Sequence, residues 1–161
     1  MKKQILILIA TIASHTLCAG VPSPRDLVGA VENAITNKDP KAIETLTYTE
    51  GMSEEDKTRN FRHIRDHLFT TPTQKVELGD VSADLAKPFR IHRGLKFTPT
   101  AQPIGSILLH QKSDKFSSTA RLPYAKVNDL YYLVGVKSEK LNWDGPPDKS
   151  IGWLIGGPNA K

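Results

Sequence analysis

Cysteine is nearly absent from this sequence, since the 161 residues contain only Cys18. A disulfide within the chain is therefore excluded, and so is cysteine catalysis downstream of residue 18. The chain also lacks a P-loop, the G-x-G-x-x-G turn of dinucleotide-binding proteins and the G-x-S-x-G turn of many serine hydrolases. It has no block of five or six like charges. This last absence argues against a dedicated nucleic-acid-binding protein.

The first twenty residues have the layout of a secretory signal peptide. Residues 1–3 are positively charged, residues 5–12 form an apolar run, and residues 18–20 have small side chains where a signal peptidase would cut. The run is too short to be a transmembrane helix. We expect cleavage after Gly20 and export to the periplasm or the medium. Lipid attachment at Cys18 is disfavoured because Leu17 is bulkier than lipoprotein processing prefers.

Removing this leader leaves about 140 residues, which is the size of one domain and is enough for a core without metal or disulfides. The net charge of +5 includes two leader lysines, so the domain itself carries a small, scattered positive excess. We predict a domain at 21–137 and a C-terminal tail at 138–161 that packs on the domain or extends it. The apolar stretch 151–155 reads as a short edge strand or a covering segment, with a lid or an interface strand as the alternative.

Helical signals fill the first half of the domain. Each predicted start combines a capping side chain with a proline or an acidic first turn, at Ser23-Pro24, Asp39-Pro40 and Ser53-Glu54-Glu55-Asp56. From Lys75 onward the apolar pattern takes the two-residue period of strands. Predicted strands lie at 76–78, 89–91, 94–98, 104–111, 117–127 and 130–136, with a tight turn at Asn128-Asp129. Helices followed by strands predict an α+β fold in which helices cover one face of an antiparallel sheet.

This order of elements resembles the nuclear transport factor 2-like (cystatin-like) superfamily of α+β cones. The resemblance rests on the turn Asn37-Lys38-Asp39-Pro40 before a short second helix, and on the closing hairpin 122–133 with its aromatic pair Tyr131-Tyr132. It implies a strongly curved antiparallel sheet that wraps around helices, with a pocket between the two. It does not imply an activity, because this fold supports enzymes, ligand-binding domains and interaction modules alike.

No motif selects a catalytic site. The candidates for lining a pocket are Tyr48, Phe89, Phe97, His110 and Tyr124. Enzymes of the resembling superfamily often use an Asp base or an Asp–His pair, for which Asp80 or Asp84 with a tyrosine or His110 would be the candidates here. Both aspartates read more simply as turn residues. His63 and His67 have the spacing of a metal clamp, but helix geometry predicts that both face solvent, so we expect no metal and no cofactor.

These observations lead to one main hypothesis and two alternatives. The main hypothesis is an exported, non-catalytic binding domain that holds a small apolar ligand in the cone pocket or a protein partner on its sheet. The first alternative is a small cofactor-independent isomerase or hydro-lyase with an Asp or His base. The second is a module that forms a homodimer through its sheet. We expect neither nucleic acid as a partner nor a transmembrane segment.

Overall fold

A computed structural model of the chain describes residues 18–92 and 94–141. The predicted apolar run of the leader at 5–12 and the apolar stretch at 151–155 lie outside the described residues. The helices are α1 (Pro24–Thr36), α2 (Pro40–Leu46) and α3 (Glu54–Leu68). The strands are β1 (Thr47–Tyr48), β2 (Thr73–Gly79), β3 (Arg90–His92), β4 (Leu95–Pro99), β5 (Gly105–Lys112), β6 (Ser117–Val127), β7 (Leu130–Val134) and β8 (Val136–Lys140). The predicted α+β class, with its helices at the N-terminal end, is confirmed.

The helices begin where their caps predict. The Ser23 hydroxyl accepts a hydrogen bond from the Asp26 backbone N–H at 3.2 Å, and the Ser53 hydroxyl accepts one from Asp56 at 3.1 Å. The Asp39 carboxylate accepts two backbone N–H groups at the start of α2, at 3.0 and 3.1 Å. These side chains satisfy N–H groups that have no partner inside the helix, which is why short local signals fixed the boundaries.

The strands form two sheets. The larger sheet has the order β1-β7-β6-β5-β2 and is antiparallel except for β1, which runs parallel to β7. The smaller sheet has the order β3-β4-β8. The predicted turn at Asn128-Asp129 connects β6 and β7, and both of its residues have positive φ, at 48° and 65°. Two left-handed residues in succession match the right-handed twist of a two-residue hairpin, so Asn and Asp here replace the commoner glycine.

The expectation of a strongly curved sheet is wrong, because the five-stranded sheet is not strongly curled. The chain leaves this sheet at Gly135 and continues as β8 in the second sheet. Thr100 is paired with this bend: its N–H donates to the Gly135 carbonyl at 2.9 Å, and its hydroxyl accepts the Gly135 N–H at 3.0 Å. The final strands therefore divide between two sheets instead of curling one sheet into a cone.

One face of the larger sheet is packed against the helices. Cross-strand neighbours share a face, so the pairs Leu109–Ala120 and Ile107–Leu122 place β5 and β6 side chains on the same side. This side packs into the main core with apolar residues of all three helices: Leu27, Val31, Ala34, Ile43, Leu46, Ile64 and Leu68. The space between helices and sheet is thus filled by aliphatic side chains.

Among the residues that the structure describes, the other face of the sheet is buried at one end only. At the end next to the second sheet, Ser106, Ala125 and Val134 are at most 1% exposed. Further along the same face, Leu108 is half-buried, and Thr119 and Arg121 are exposed. We call this uncovered half the open face and define it by residues of β2, β5 and β6, namely Lys75, Glu77, Leu108, His110, Lys112, Thr119 and Arg121.

Asn60 joins α3 to the start of the second sheet. Its side-chain amide donates to the Asp56 carbonyl at 2.8 Å and to the Val136 carbonyl at 2.9 Å. Its side-chain oxygen accepts the Val136 N–H at 3.1 Å. The side chain is buried and takes the place of a neighbouring strand for Val136. Both backbone groups of Val136 depend on it, so replacing it leaves buried polar groups without partners.

We predict that Asn60→Ala lowers the free energy of unfolding by about 2–4 kcal/mol. The substitution removes the hydrogen bonds of the Asn60 side chain and leaves two buried backbone groups of Val136 without partners. Urea unfolding monitored by circular dichroism measures the change. Arg62→Ala, at an exposed position on the same helix, is the matched control and should stay within about 0.5 kcal/mol of the original protein. A change at Asn60 no larger than that at Arg62 would contradict this anchoring role.

Candidate functional site

The open face carries a row of polar side chains that crosses three strands. Lys75 on β2 lies opposite His110 on β5, and His110 lies opposite Thr119 on β6. Glu77, two residues along β2 from Lys75, projects on the same side. This register brings together residues that are 33 and 9 positions apart in the sequence. We refer to Lys75, Glu77, His110 and Thr119 as the polar row.

The polar row is connected by direct contacts. Glu77 Oε1 lies 2.7 Å from His110 Nε2, and its other carboxylate oxygen pairs with the Lys75 ammonium. The Thr119 hydroxyl lies 3.3 Å from His110 Nδ1. Hydrogen bonding from Lys75, followed by that from His110, lowers the pKa of the Glu77 carboxyl. Glu77 thus remains a carboxylate at neutral pH and fixes the orientation of the imidazole.

Chemically, the row places a hydroxyl, an imidazole and a carboxylate in the order of a hydrolytic triad. A triad also needs donors aimed at a developing oxyanion and shelter from water. The His110 and Glu77 side chains are 39% and 36% exposed, and the backbone of the central strand is bonded into the ladder on both sides. The arrangement is therefore better suited to holding charges in fixed positions on a surface than to activating a nucleophile.

The open face has a positive excess. Arg121 and Lys112 are exposed near the row, and Lys75 adds a third cation. Glu77 is the acidic member of the face. Arg121 on β6 lies opposite the half-buried Leu108 on β5, so the two side chains are cross-strand neighbours on this face. A planar cation beside an apolar centre is the composition found where protein surfaces bind each other.

The five residues predicted to line a pocket lie in separate surroundings. Tyr48 packs on Tyr132 with ring centroids 5.3 Å apart, and Tyr124 packs on Tyr131 at 6.3 Å. Phe97 is within 5.8 Å of the Arg59 guanidinium, whereas Phe89 is 45% exposed beside Lys96. His110 belongs to the polar row on the face away from the helices. As a ligand-binding set, the five stay a prediction.

The two candidate acidic residues, Asp80 and Asp84, also lie in different surroundings. Asp84 pairs with Arg90 at 3.1 Å and with Lys87 at 3.3 Å. Asp80 lies near Tyr124. The pKa of the Tyr124 hydroxyl is raised mainly by burial, and then by the neighbouring Tyr131 and Asp80. A tyrosine with a raised pKa stays protonated and can donate a hydrogen bond, but Tyr124 faces the helix side of the sheet, away from the polar row.

A polar groove of about 390 Å³ lies between the start of α3 and the second sheet. At its base, Asp56 accepts hydrogen bonds from the Ser138 N–H at 3.1 Å, the Ser138 hydroxyl at 2.8 Å and the Ser53 hydroxyl at 3.0 Å. Burial pushes the pKa of Asp56 upward, but these bonds and the paired Arg59 outweigh it and leave the pKa lowered. The Asp56 carboxylate therefore serves to join α3 to β8, and we assign the groove a structural role.

His63 and His67 differ from the prediction that both face solvent. Their rings lie 4.3 Å apart and His67 is exposed. His63 is half-buried, and its Nε2 is enclosed without a hydrogen-bond partner in the described part of the chain. The buried stripe of α3 includes Asn60 and Ile64, and His63 borders it. The pattern of apolar residues in α3 did not predict that Asn60 is buried. Its burial widens the buried stripe of the helix toward His63.

Across residues 18–92 and 94–141, no three or more His, Cys, Asp and Glu side chains cluster in a way that could hold a metal ion. Over the same part of the chain, no helix is long and apolar enough to cross a membrane. Comparison with known proteins finds no matching family model, no matching curated protein and no matching solved structure.

Sequence reasoning considered His110 but missed Glu77 and Thr119. The two-residue period of β2 and β6 placed each of them on a strand face. It did not say which residues of distant strands lie opposite each other. Register supplies that information, and β2 reaches its register through an irregularity between Thr73 and Lys75. A one-residue shift there would have moved Glu77 to the opposite side of the sheet.

We predict that lowering the pH below about 6.5 destabilises the protein through His63. Burial first, and the neighbouring His67 second, lower the pKa of His63 in the folded state. A lowered pKa means that the neutral ring stabilises the fold at higher pH, and this contribution is lost as the pH falls through the folded-state pKa. Thermal unfolding between pH 8 and pH 5.5 should show a smaller fall in Tm for His63→Gln than for the original chain.

His67→Gln is the comparison variant for this experiment. It removes the neighbouring positive charge but keeps His63 buried, so it should reduce the pH dependence only in part. If His63→Gln keeps the full pH dependence, the burial of His63 is not its source.

Proposed function

We propose that this chain is an exported, non-catalytic binding domain that engages a protein partner through its open face. The support comes from the contrast between the two faces of the larger sheet. One face is filled by aliphatic side chains from three helices. Within residues 18–92 and 94–141, the other is left uncovered over the half that bears the polar row, with Glu77 and His110 already held by each other. A surface ordered before binding loses less conformational entropy when a partner docks.

The charge of the open face favours an acidic partner. Lys75, Lys112 and Arg121 carry three positive charges on this surface, against one carboxylate from Glu77. Arg121 can form paired hydrogen bonds with a carboxylate, and Leu108 offers apolar contact beside it. A homodimer through the same face would bring these like charges together across a two-fold axis, which makes self-association the weaker alternative.

The remaining alternatives have less support in the geometry. A small ligand between helices and sheet would need space that the core side chains occupy. An isomerase or hydro-lyase would need its base in a sheltered pocket with an oxyanion donor, and the polar row lies on an exposed surface instead. We also keep, as a proposed relationship, the nuclear transport factor 2-like superfamily, supported by the three helices in the N-terminal half of the chain.

We predict that a photo-crosslinking amino acid at Thr119 forms a discrete adduct with one partner protein in the exporting cell. Arg121→Glu in the same chain should reduce that adduct at least tenfold, because reversing one interfacial charge costs on the order of 1.4 kcal/mol or more. The stability of Arg121→Glu should change by less than about 0.5 kcal/mol, since its side chain is exposed. Gel analysis and mass spectrometry measure the adduct, and urea unfolding measures the stability.

The matched control places the same crosslinker at Arg62, an exposed position on the helical side of the domain. An adduct of equal yield at Arg62, or an adduct at Thr119 that Arg121→Glu leaves unchanged, contradicts the proposal. An adduct between two copies of this chain would favour the homodimer instead.

A further inference from the structure

The segment 18–21 is built into the folded domain. Val21 forms a closed pair of backbone hydrogen bonds with Tyr131, donating at 3.1 Å and accepting at 2.8 Å. This pair adds Val21 to the edge of β7, the same strand that β1 joins further along. Val21 also packs against the main core. We refer to residues 18–21 as the N-terminal segment.

The same segment supplies partners to carbonyl groups at the end of α2. The Ala19 N–H donates to the Thr45 carbonyl at 2.9 Å, and the Cys18 thiol donates to the Thr47 carbonyl at 3.1 Å. The last carbonyls of a helix have no partner within it and need one from outside. Residues 18 and 19 therefore act as part of the C-terminal cap of α2.

Gly20 is a glycine because of the space around it. A Cβ atom added at Gly20 would lie 2.6 Å from the Tyr132 hydroxyl oxygen and 2.7 Å from the Leu130 Cβ. Real Cβ atoms do not approach so closely, so something would have to shift. The Tyr132 ring has little freedom to move away, because the Tyr48 ring packs against it with ring centroids 5.3 Å apart. The small size of this residue thus has a structural cause that is independent of any peptidase.

We infer that the processed, exported protein keeps Cys18, Ala19 and Gly20, and that the leader is cleaved upstream of Cys18. The sequence alone favoured a cut after Gly20, because small residues are what a signal peptidase accepts. The contacts of the N-terminal segment provide another reason for the same small residues. A cut after Gly20 would remove the partners of the Thr45 and Thr47 carbonyls.

The position of the cut determines whether the mature chain contains a cysteine. Under a cut after Gly20 the exported protein would have no cysteine, whereas the inferred cut leaves one free thiol. Its Sγ lies 3.3 Å from the Thr49 hydroxyl as well as near the Thr47 carbonyl, and the residue is partly buried. Thiol content therefore reports the position of the cut without any assay of function.

The test is to express the full chain in a bacterial host, purify the exported form and measure its intact mass. The expected mass corresponds to a chain that begins at or before Cys18 and lacks the start of the leader, with one thiol per chain by maleimide labelling. A mass that begins at Val21, or at Met1 with the leader intact, would overturn the inference.

Two glycine variants supply a second readout on the same exported protein. Gly20→Ala gives the peptidase another small residue, so a cut after residue 20 would still occur and the mature protein would be unchanged. If Gly20 is retained, its added Cβ meets Tyr132, and Tm should fall by roughly 5 °C or more.

Gly29→Ala is the matched control, because nothing lies within 4 Å of a Cβ added at this helical position. Alanine is the better helix former, so Tm should rise by a few degrees. Gly20→Ala with the same Tm as the original exported protein would overturn the inference, whatever Gly29→Ala does.

Discussion

The bend at Gly135 is the constraint on which the arrangement of this domain depends. Thr100 forms hydrogen bonds with both the N–H and the carbonyl of Gly135. A Cβ added at Gly135 would lie 3.0 Å from the Tyr48 carbonyl oxygen. Only glycine fits so close to a neighbouring backbone without displacing it. The chain therefore passes from the larger sheet into the smaller one here, and β8 continues where β7 would otherwise have extended a single sheet.

Three features of the molecule follow from this crossing. Val136 comes directly after the bend, and its backbone groups are satisfied by Asn60, so α3 is joined to the smaller sheet by a side chain instead of a strand. The far face of the larger sheet is buried next to the crossing and exposed away from it. The polar row lies on the exposed part. The proposed binding surface is thus a consequence of where one strand leaves its sheet.

Two segments of the domain, residues 18–20 and the histidine pair of α3, illustrate how one residue pattern can have two physical causes. Small side chains at residues 18–20 suit a peptidase, and they also suit a segment pressed between α2 and Tyr132. Likewise, histidines four residues apart suit a metal ion, but here one is half-buried and the other exposed. In both cases the sequence specified the residue types, and the surroundings decide which explanation applies.

The sequence by itself determined the helix starts, the order of elements and the turn at Asn128-Asp129, because capping and turn chemistry act over a few neighbouring residues. It also predicted which strand residues alternate between faces. It did not determine that the larger sheet is not strongly curled, the pairing of Glu77 with His110 or the anchoring of Val136 by Asn60. Those depend on strand register and on contacts between residues up to 76 positions apart. Only the packed tertiary structure brings such residues together, because no local preference of the chain encodes their distance.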